Sequence, residues 1–317
     1  MKQVLIFGGN TGVLAASVAN ELAGSESFQP VFADQYSPIP LLPAVKHAPF
    51  TITNTDHVKA AVGNVDAVIS CVESNPRLIT DSANALFAAL KSQSDKTAVL
   101  FSSMSVYGNA EGVVDESFQT AATDAYSAAR IHAESLASST SNTICLRSGV
   151  EYGPGSLRWS GLIGRLLRSR RLGDLGAAGD GYCNLLYMDD LVQAMVRSLQ
   201  LQTVGNQTFN LCSSERVTWN HYLVRYARAL RAVPVKRIAS RRLKIETKLS
   251  IPLKIAEMAV GSKWTERLHI PAPLTSSMLS VFSQRLLLNS SKAEQILGMK
   301  WTPLEEGLKK AAQWISY

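Results

Sequence analysis

Short apolar runs alternate with amphipathic stretches through the first half of the chain. Val4 to Phe7, Pro30 to Ala33, Ala67 to Val72, Ala98 to Ser102 and Thr143 to Arg147 read as strands, apolar at nearly every position. Val13 to Leu22, Asp56 to Val62, Thr80 to Lys91 and Tyr126 to Ser138 read as helices with one apolar stripe each, Asp56 serving as a plausible cap. Strands apolar on both faces belong inside a parallel sheet covered by helices on both sides, so the pattern predicts an α/β fold with a doubly wound parallel sheet.

The alternation stops near residue 150. Beyond it come the turn-rich Glu151-Tyr152-Gly153-Pro154-Gly155, a basic helix near Leu162 to Arg171, and a loop from Gly173 to Gly181. Asp189-Asp190-Leu191 opens a helix running toward Leu201, Phe209 to Leu211 is a short strand, and Trp219 to Leu230 is a further helix. Ile238 to Leu287 reads as helical and irregular, and Ser291 to Ile315 as two helical pieces split by Trp301-Thr302-Pro303. Two domains are expected: 1–150 with 184–212 returning to it, and a smaller C-terminal lobe from 151–183 and 213–317.

At 317 residues and 46% hydrophobic, the chain can bury a core of that size. The opening segment is too poor in apolar residues for a signal peptide and no run reaches the ~18 residues of a membrane span, so a cytoplasmic protein without a membrane partner is expected. Cys71, Cys145, Cys183 and Cys212 stand far apart without a Cys-x-x-Cys pair and read as reduced core thiols, with no metal site. The net charge of +7 is concentrated in Arg165, Arg168, Arg170, Arg171 and in Lys236, Arg237, Arg241, Arg242, Lys244. Solvated faces are the first reading of such runs, an anionic substrate or cofactor phosphate the second; no nucleic-acid-binding motif accompanies them, and no nucleic-acid partner is expected.

Gly9-Asn10-Thr11-Gly12-Val13-Leu14-Ala15 joins the first strand to the first helix as Gly-x-x-Gly-x-x-Ala. Glycines there permit a tight turn and let backbone N–H groups meet a pyrophosphate, while Ala15 lets helix and strand approach closely. Asp34 ends the second strand at the offset where a carboxylate accepts hydrogen bonds from an adenosine ribose and repels the extra phosphate of NADP. A solvated loop aspartate is the alternative. Gly9, Asn10, Thr11, Gly12 and Asp34 are therefore the candidate cofactor residues, for NAD with NADP possible.

Ser103 lies in Ser102-Ser103-Met104-Ser105-Val106-Tyr107-Gly108, Tyr126 and Arg130 are four apart on the following helix, and Tyr152-Gly153-Pro154, Tyr187-Met188-Asp189-Asp190 and Ser291-Lys292-Ala293 follow in order. With these motifs the whole chain resembles an extended short-chain dehydrogenase/reductase of the NAD-dependent epimerase/dehydratase family, a Rossmann-type fold. The resemblance implies a carbonyl/alcohol redox step, with Tyr126 as general acid/base, Ser103 orienting the substrate oxygen, and Arg130 in place of the family's lysine, which binds nicotinamide ribose and lowers the tyrosine pKa. Arginine keeps the charge but is a planar fork that cannot relay a proton. The resemblance also implies a homodimer through the helices at Thr80 to Lys91 and Tyr126 to Ser138. An exposed helix start is the plainer reading of Tyr126 and Arg130.

Sugar-nucleotide members carry Arg-Asp where this chain has Cys183-Asn184, which points away from a nucleotide-sugar substrate and toward a small organic alcohol or ketone. Asp189 and Asp190 read as helix-capping residues rather than a carboxylate site. His132 lies six residues after Tyr126 on another helix face, outside the chemistry. Trp159 reads as packing, or as a pocket wall. A nucleotide-sugar epimerase or dehydratase, and a catalytically weak NAD sensor, are the rival functions.

Overall fold

The computed structural model describes residues 1–8, 12–73, 75–93, 95–201, 205–239, 241, 274 and 276–315. Eleven strands occur among them: β1 Lys2–Phe7, β2 Phe28–Phe32, β3 Lys46–His47, β4 Ala67–Ser70, β5 Thr97–Ser103, β6 Gly112–Val114, β7 Thr143–Ser148, β8 Val150–Tyr152, β9 Leu185–Tyr187, β10 Gln207–Leu211 and β11 Leu286–Leu288. The helices are α1 Val13–Ala23, α2 Thr55–Gly63, α3 Pro76–Leu90, α4 Ala125–Ser138, α5 Ile163–Arg168, α6 Met188–Ser198, α7 Trp219–Ala229, α8 Ser276–Phe282, α9 Ser291–Ile296 and α10 Leu304–Ile315.

The chain divides into two compact units. Unit 1 comprises Met1–Glu151, Leu186–Ser214 and Leu288–Thr302; unit 2 comprises Tyr152–Leu185, Glu215–Leu287 and Pro303–Tyr317. Unit 1 is built on a seven-stranded sheet in the order β10-β7-β5-β4-β1-β2-β3, parallel throughout. The order reverses between β1 and β4, which is where doubly wound sheets open a crevice for ligands at the strands' carboxyl ends.

Because side chains alternate along a strand, β1 feeds two cores. Val4 and Ile6 join Leu14, Ala15, Val18 and Leu22 of α1 and Leu191, Val192 and Met195 of α6 on one face. Leu5 and Phe7 join Val58 of α2, Leu86 and Phe87 of α3 and Ala129 and Ala133 of α4 on the other. Each fully buried Val, Leu or Phe contributes about 1.5–3 kcal/mol, which makes these layers the main source of stability.

Several local expectations change. The cap of α2 is Asn54, whose side chain accepts from the N–H groups of Asp56 and His57; Asp56 sits inside the first turn. α3 begins at Pro76 instead of Thr80, since Asn75 caps it and proline suits the first helical position. The basic helix at Leu162 to Arg171 is a π-helical turn over Leu157–Leu162 followed by α5, and Arg170 at φ 55° ends it. Of Ile238 to Leu287, most lies outside the described residues.

The last-third boundary also moves: Leu288–Thr302 belongs to unit 1, where the sequence put all of 213–317 in the second lobe. Asp190 at the start of α6 explains part of this. Its carboxylate accepts from the N–H and the hydroxyl of Thr302, both at 2.8 Å, so it tethers the returning segment rather than capping its own helix. Arg197 donates to the carbonyls of Leu297 and Gly298, and Lys292 to that of Thr208.

In unit 2, Trp219 packs on Trp159, Tyr222 and Phe282 with ring centroids 4.7–5.9 Å apart. Trp159 is thus largely a packing residue. Among the described residues no helix is long and apolar enough to cross a membrane.

Candidate active site

The carboxyl end of β1 and the start of α1 form the first half of the site. Gly9, Asn10 and Thr11 lie outside the described residues, but the residues on either side of them are placed. A Cβ at Gly8 would stand 2.6 Å from that of Ala15, so strand and helix touch here as the Gly-x-x-Gly-x-x-Ala spacing requires. Gly12 has φ 44°, in the left-handed region, and precedes α1 without a side-chain cap; α1 has no acidic residue in its first turn. The Gly8 N–H donates to Oδ2 of Asp34 at 2.8 Å, and Asp34 is buried, so the carboxylate is fastened to the glycine turn rather than solvated. A left-handed glycine at residue 12, an uncapped helix start and a fixed carboxylate are elements that suit the pyrophosphate and ribose of a dinucleotide.

The second half sits where β5 and α4 meet. Ser103 is the last residue of β5, and its hydroxyl accepts from the Ser105 N–H at 3.3 Å, opening a 3₁₀ turn over Met104–Tyr107. Asp124 and Ser127 close a capping box that fixes the start of α4, with Tyr126 as its second residue. Arg130, one turn on, is 1% exposed. Its Nη2 donates to the Tyr126 hydroxyl at 3.1 Å and its Nη1 to the Phe101 carbonyl at 2.6 Å, two residues before Ser103. The guanidinium also lies over the Phe101 and Tyr126 rings, at 4.7 and 5.0 Å. Arg130 is therefore a buried residue, and the half-buried Tyr126 meets it with its hydroxyl at the helix start. Among the described residues the Arg130 Nε–H has no acceptor, and a buried donor left so costs about 1–3 kcal/mol. A ribose hydroxyl is the kind of acceptor that satisfies it, and in this respect too the residues fit NAD.

One part of the site was missed in the sequence. Glu134 continues the row Tyr126, Arg130 by another turn of α4, and it accepts from Ser102 Oγ at 2.5 Å and from Arg147 Nη2 at 2.6 Å. Arg147 on β7 also donates to the Tyr107 hydroxyl at 2.8 Å, and Tyr107 donates to Asn210 of β10 at 2.7 Å. Burial opposes the charge on Arg147, but the bonds and charge of Glu134, and then Tyr107, more than offset it and hold its pKa high. The i, i+4, i+8 spacing and a lone arginine in the apolar Thr143 to Ser148 strand were the available signals.

Other expectations are placed as follows. His132 bonds Asn84 of α3 at 2.9 Å, on an exposed face. All four cysteines are buried and free. Burial pushes each thiol up, that of Cys212 to about 12, so none is a thiolate nucleophile. Among the described residues no cluster of His, Cys, Asp and Glu could hold a metal. In unit 2, Cys183 is fully buried with its N–H bonded to the Val217 carbonyl, and Asn184, at φ 46°, donates to Leu286. A shallow cavity of about 580 Å³ in unit 2, lined by Asp174, Asp180, Asn220, His221, Arg225 and Arg228, contains none of the candidate catalytic residues, all of which are in unit 1.

The model of one enzyme family, the NAD dependent epimerase/dehydratase family, matches residues 9–212. The chain belongs to that family. The match spans the glycine turn, Asp34, Ser103, Tyr126 and Arg130 in a single stretch. No curated protein matches the chain. Among solved structures it is similar to UDP-glucuronic acid 4-epimerase from Bacillus cereus in complex with NAD, at 16% identity and TM-score 0.72 over 99% of this chain and 98% of that one. It is similar also to UDP-glucose 4-epimerase from Thermotoga maritima with UDP-glucose, at 14% identity and TM-score 0.74 over 99% and 98%. A third is WbmH from Bordetella bronchiseptica in complex with NAD⁺, at 18% identity and TM-score 0.72 over 100% and 98%. At these identities the likeness establishes the Rossmann-type fold.

Proposed function

We propose that this family member is an NAD-dependent oxidoreductase or epimerase acting at a hydroxyl-bearing carbon of a small organic alcohol or ketone, with Tyr126 as acid/base. The observation that carries this reading is the hydrogen bond from the buried Arg130 to the half-buried Tyr126 hydroxyl. NAD, when bound, supplies the acceptor for the hydride leaving the carbinol carbon. Gly9, Asn10, Thr11 and Gly12 hold its pyrophosphate, and Asp34 its adenosine ribose, where a 2′-phosphate would meet a fixed carboxylate.

Tyr126 takes the substrate's hydroxyl proton as the carbonyl forms, and returns it in the reverse direction. Arg130 cannot take part in that transfer, since its proton is held too firmly; it stabilises the oxyanion of Tyr126 as a fixed cation and offers its Nε–H to the nicotinamide ribose. Ser103 holds the substrate oxygen from the end of β5. Glu134, clamped between β5 and β7, sets the height of this row of α4 over the sheet.

A nucleotide sugar is the second reading of the substrate, favoured by the UDP-sugar epimerases among the structural neighbours. The burial of Cys183 and the internal bond of Asn184, where sugar-nucleotide members carry their phosphate clamp, support the smaller substrate. A homodimer through α3 and α4 belongs to the proposal, and a sedimentation mass of 34.4 kDa would refute it.

The test is mass spectrometry of nucleotide released from the purified protein, followed by NADH absorbance with panels of secondary alcohols and of UDP-sugars. Tyr126→Phe removes one hydroxyl and should abolish turnover while leaving NAD affinity within about 3-fold. Full activity in that variant would sink the acid/base assignment, and a protein that binds NAD but turns over neither panel supports a sensor instead.

A further inference from the structure

The net charge is divided unequally between the two units. Unit 2 holds 21 of the 32 basic residues and only 8 of the 25 acidic ones, so it carries +13 while unit 1 carries −6. Within unit 2 the charge gathers on two segments. Residues 157–178 and 217–239 together hold ten Lys and Arg against one acid, Asp174, which is engaged by Arg237 at 2.9 Å; from outside them Glu215 and Glu305 meet Arg225 at 3.7 and 3.6 Å.

These segments run side by side. Tyr226 of α7 and Leu230 just after it, with Ile315 of α10, fill the space above Gly164 of α5, and the Asp174 N–H and the Ile238 N–H bond across to the carbonyls of Lys236 and Asp174. Both α5 and α7 end in exposed arginine turns, Arg170 at φ 55° and Arg231 at φ 56°. Arg165, Arg168, Arg228, Lys236 and Arg237 are exposed around them. One cation at each helix C-terminus answers the helix dipole; the remainder have no such role. Such a density of like charge repels itself and is tolerated where it meets an anionic surface.

Between Arg231 and Lys236 lies Val233-Pro234-Val235, with Val233 52% exposed, and among the described residues of unit 2 no Phe, Tyr or Trp side chain is exposed. Nucleic acids ask for rings to stack bases or for a helix whose length lies in a groove, whereas here the exposed cations gather at the C-terminal turns of α5 and α7 and in the segment after α7. Cations interleaved with aliphatic side chains match a lipid headgroup layer. We propose that this basic face of unit 2 docks peripherally on an anionic lipid bilayer. The inference goes beyond the enzymatic reading and beyond the expectation of no membrane partner, which concerned spanning segments.

The experiment is co-sedimentation of the full chain with vesicles of phosphatidylcholine, with and without phosphatidylglycerol. Binding should require the anionic lipid and be reversed by salt. The triple variant Arg165→Gln, Arg170→Asn, Lys236→Gln, chosen from exposed side chains with asparagine at the left-handed position, should weaken binding by on the order of 100-fold. Equal binding to neutral and anionic vesicles overturns the proposal, as does a folded triple variant that binds like the parent, or tighter binding to duplex DNA than to the anionic vesicles at the same salt. If the triple variant does not fold, the comparison of vesicle types with the parent protein decides alone. No substrate is needed, so this test stands apart from that of the enzymatic proposal.

Discussion

Replacing Arg130 with methionine and with lysine separates its charge from its shape. The side chain makes two short charge-assisted hydrogen bonds, to the Phe101 carbonyl and the Tyr126 hydroxyl, each worth about 1.5–3 kcal/mol, and a longer one to the Glu73 carbonyl at 3.5 Å, and leaves Nε–H without an acceptor at a cost of about 1–3 kcal/mol. Methionine forfeits these bonds while removing the orphan, and the two short ones alone make the net loss about 2–3 kcal/mol. Lysine keeps a cation able to reach one or both acceptors and also removes the orphan, so the fold should change by less than about 1 kcal/mol. If the cation stabilises the oxyanion of Tyr126, Arg130→Met should lower kcat on the order of 100-fold, whereas Arg130→Lys should keep or raise it. Urea denaturation followed by circular dichroism gives the stabilities, calorimetry the NAD affinity, and NADH absorbance the rates. A methionine variant as stable and active as the parent would refute the reasoning. A lysine variant that is stable but inactive would instead mean that the planar fork grips a substrate anion in a way lysine cannot.

Gly12→Val should eliminate NAD binding by calorimetry, because φ 44° is strained for a β-branched residue and its side chain would stand where the pyrophosphate belongs; unchanged affinity would remove the loop from the cofactor site. Alkaline pH should destabilise the fold in a defined window. The buried thiols and the hydroxyls of Tyr107, Tyr222 and Tyr226 are held protonated in the native state by burial, so the stability they lend is complete below about pH 9 and is lost as pH rises toward their raised values, about 12 for Cys212. Denaturation midpoints that rise between pH 9 and 11 would contradict this. Native protein should likewise resist thiol-labelling reagents at all four cysteines until it is unfolded.

The order of the central strands and their helices in unit 1 was legible because β1, β4, β5 and β7 are apolar on both faces and the helices on one, a pattern that a covered parallel sheet satisfies, whereas the edge strand β3, Lys46–His47, is exposed and polar and gave no such signal. The glycine turn and the Tyr126–Arg130 spacing were legible for a similar reason, since their chemistry fixes residue types at short range. What could not be read were relations between distant residues. Asp190 looked like a cap because acidic residues at a helix start usually are; its true partner, Thr302, is 112 positions away. Glu134 drew no reading from the sequence, because its partners Ser102 and Arg147 close on it from two strands 32 and 13 positions away. The exits of helices misled as well, as at Arg170, where a left-handed residue ends α5 without a glycine to announce it.

The three-piece composition of unit 1 bears on how the protein is made. The chain passes between the units after residues 151, 185, 214, 287 and 302, so neither unit is a contiguous block of sequence. While a ribosome synthesises the chain, β10, the edge strand beside β7, cannot dock until residue 211 has emerged, and Asp190 waits for Thr302. All seven strands of the sheet have then been made, but the segment Leu288–Thr302 that completes unit 1 arrives only after some 90 further residues, counted from 211 to 302. A nascent chain stalled before that point should recruit chaperones, and no single crossover in the gene could exchange one unit for another enzyme's.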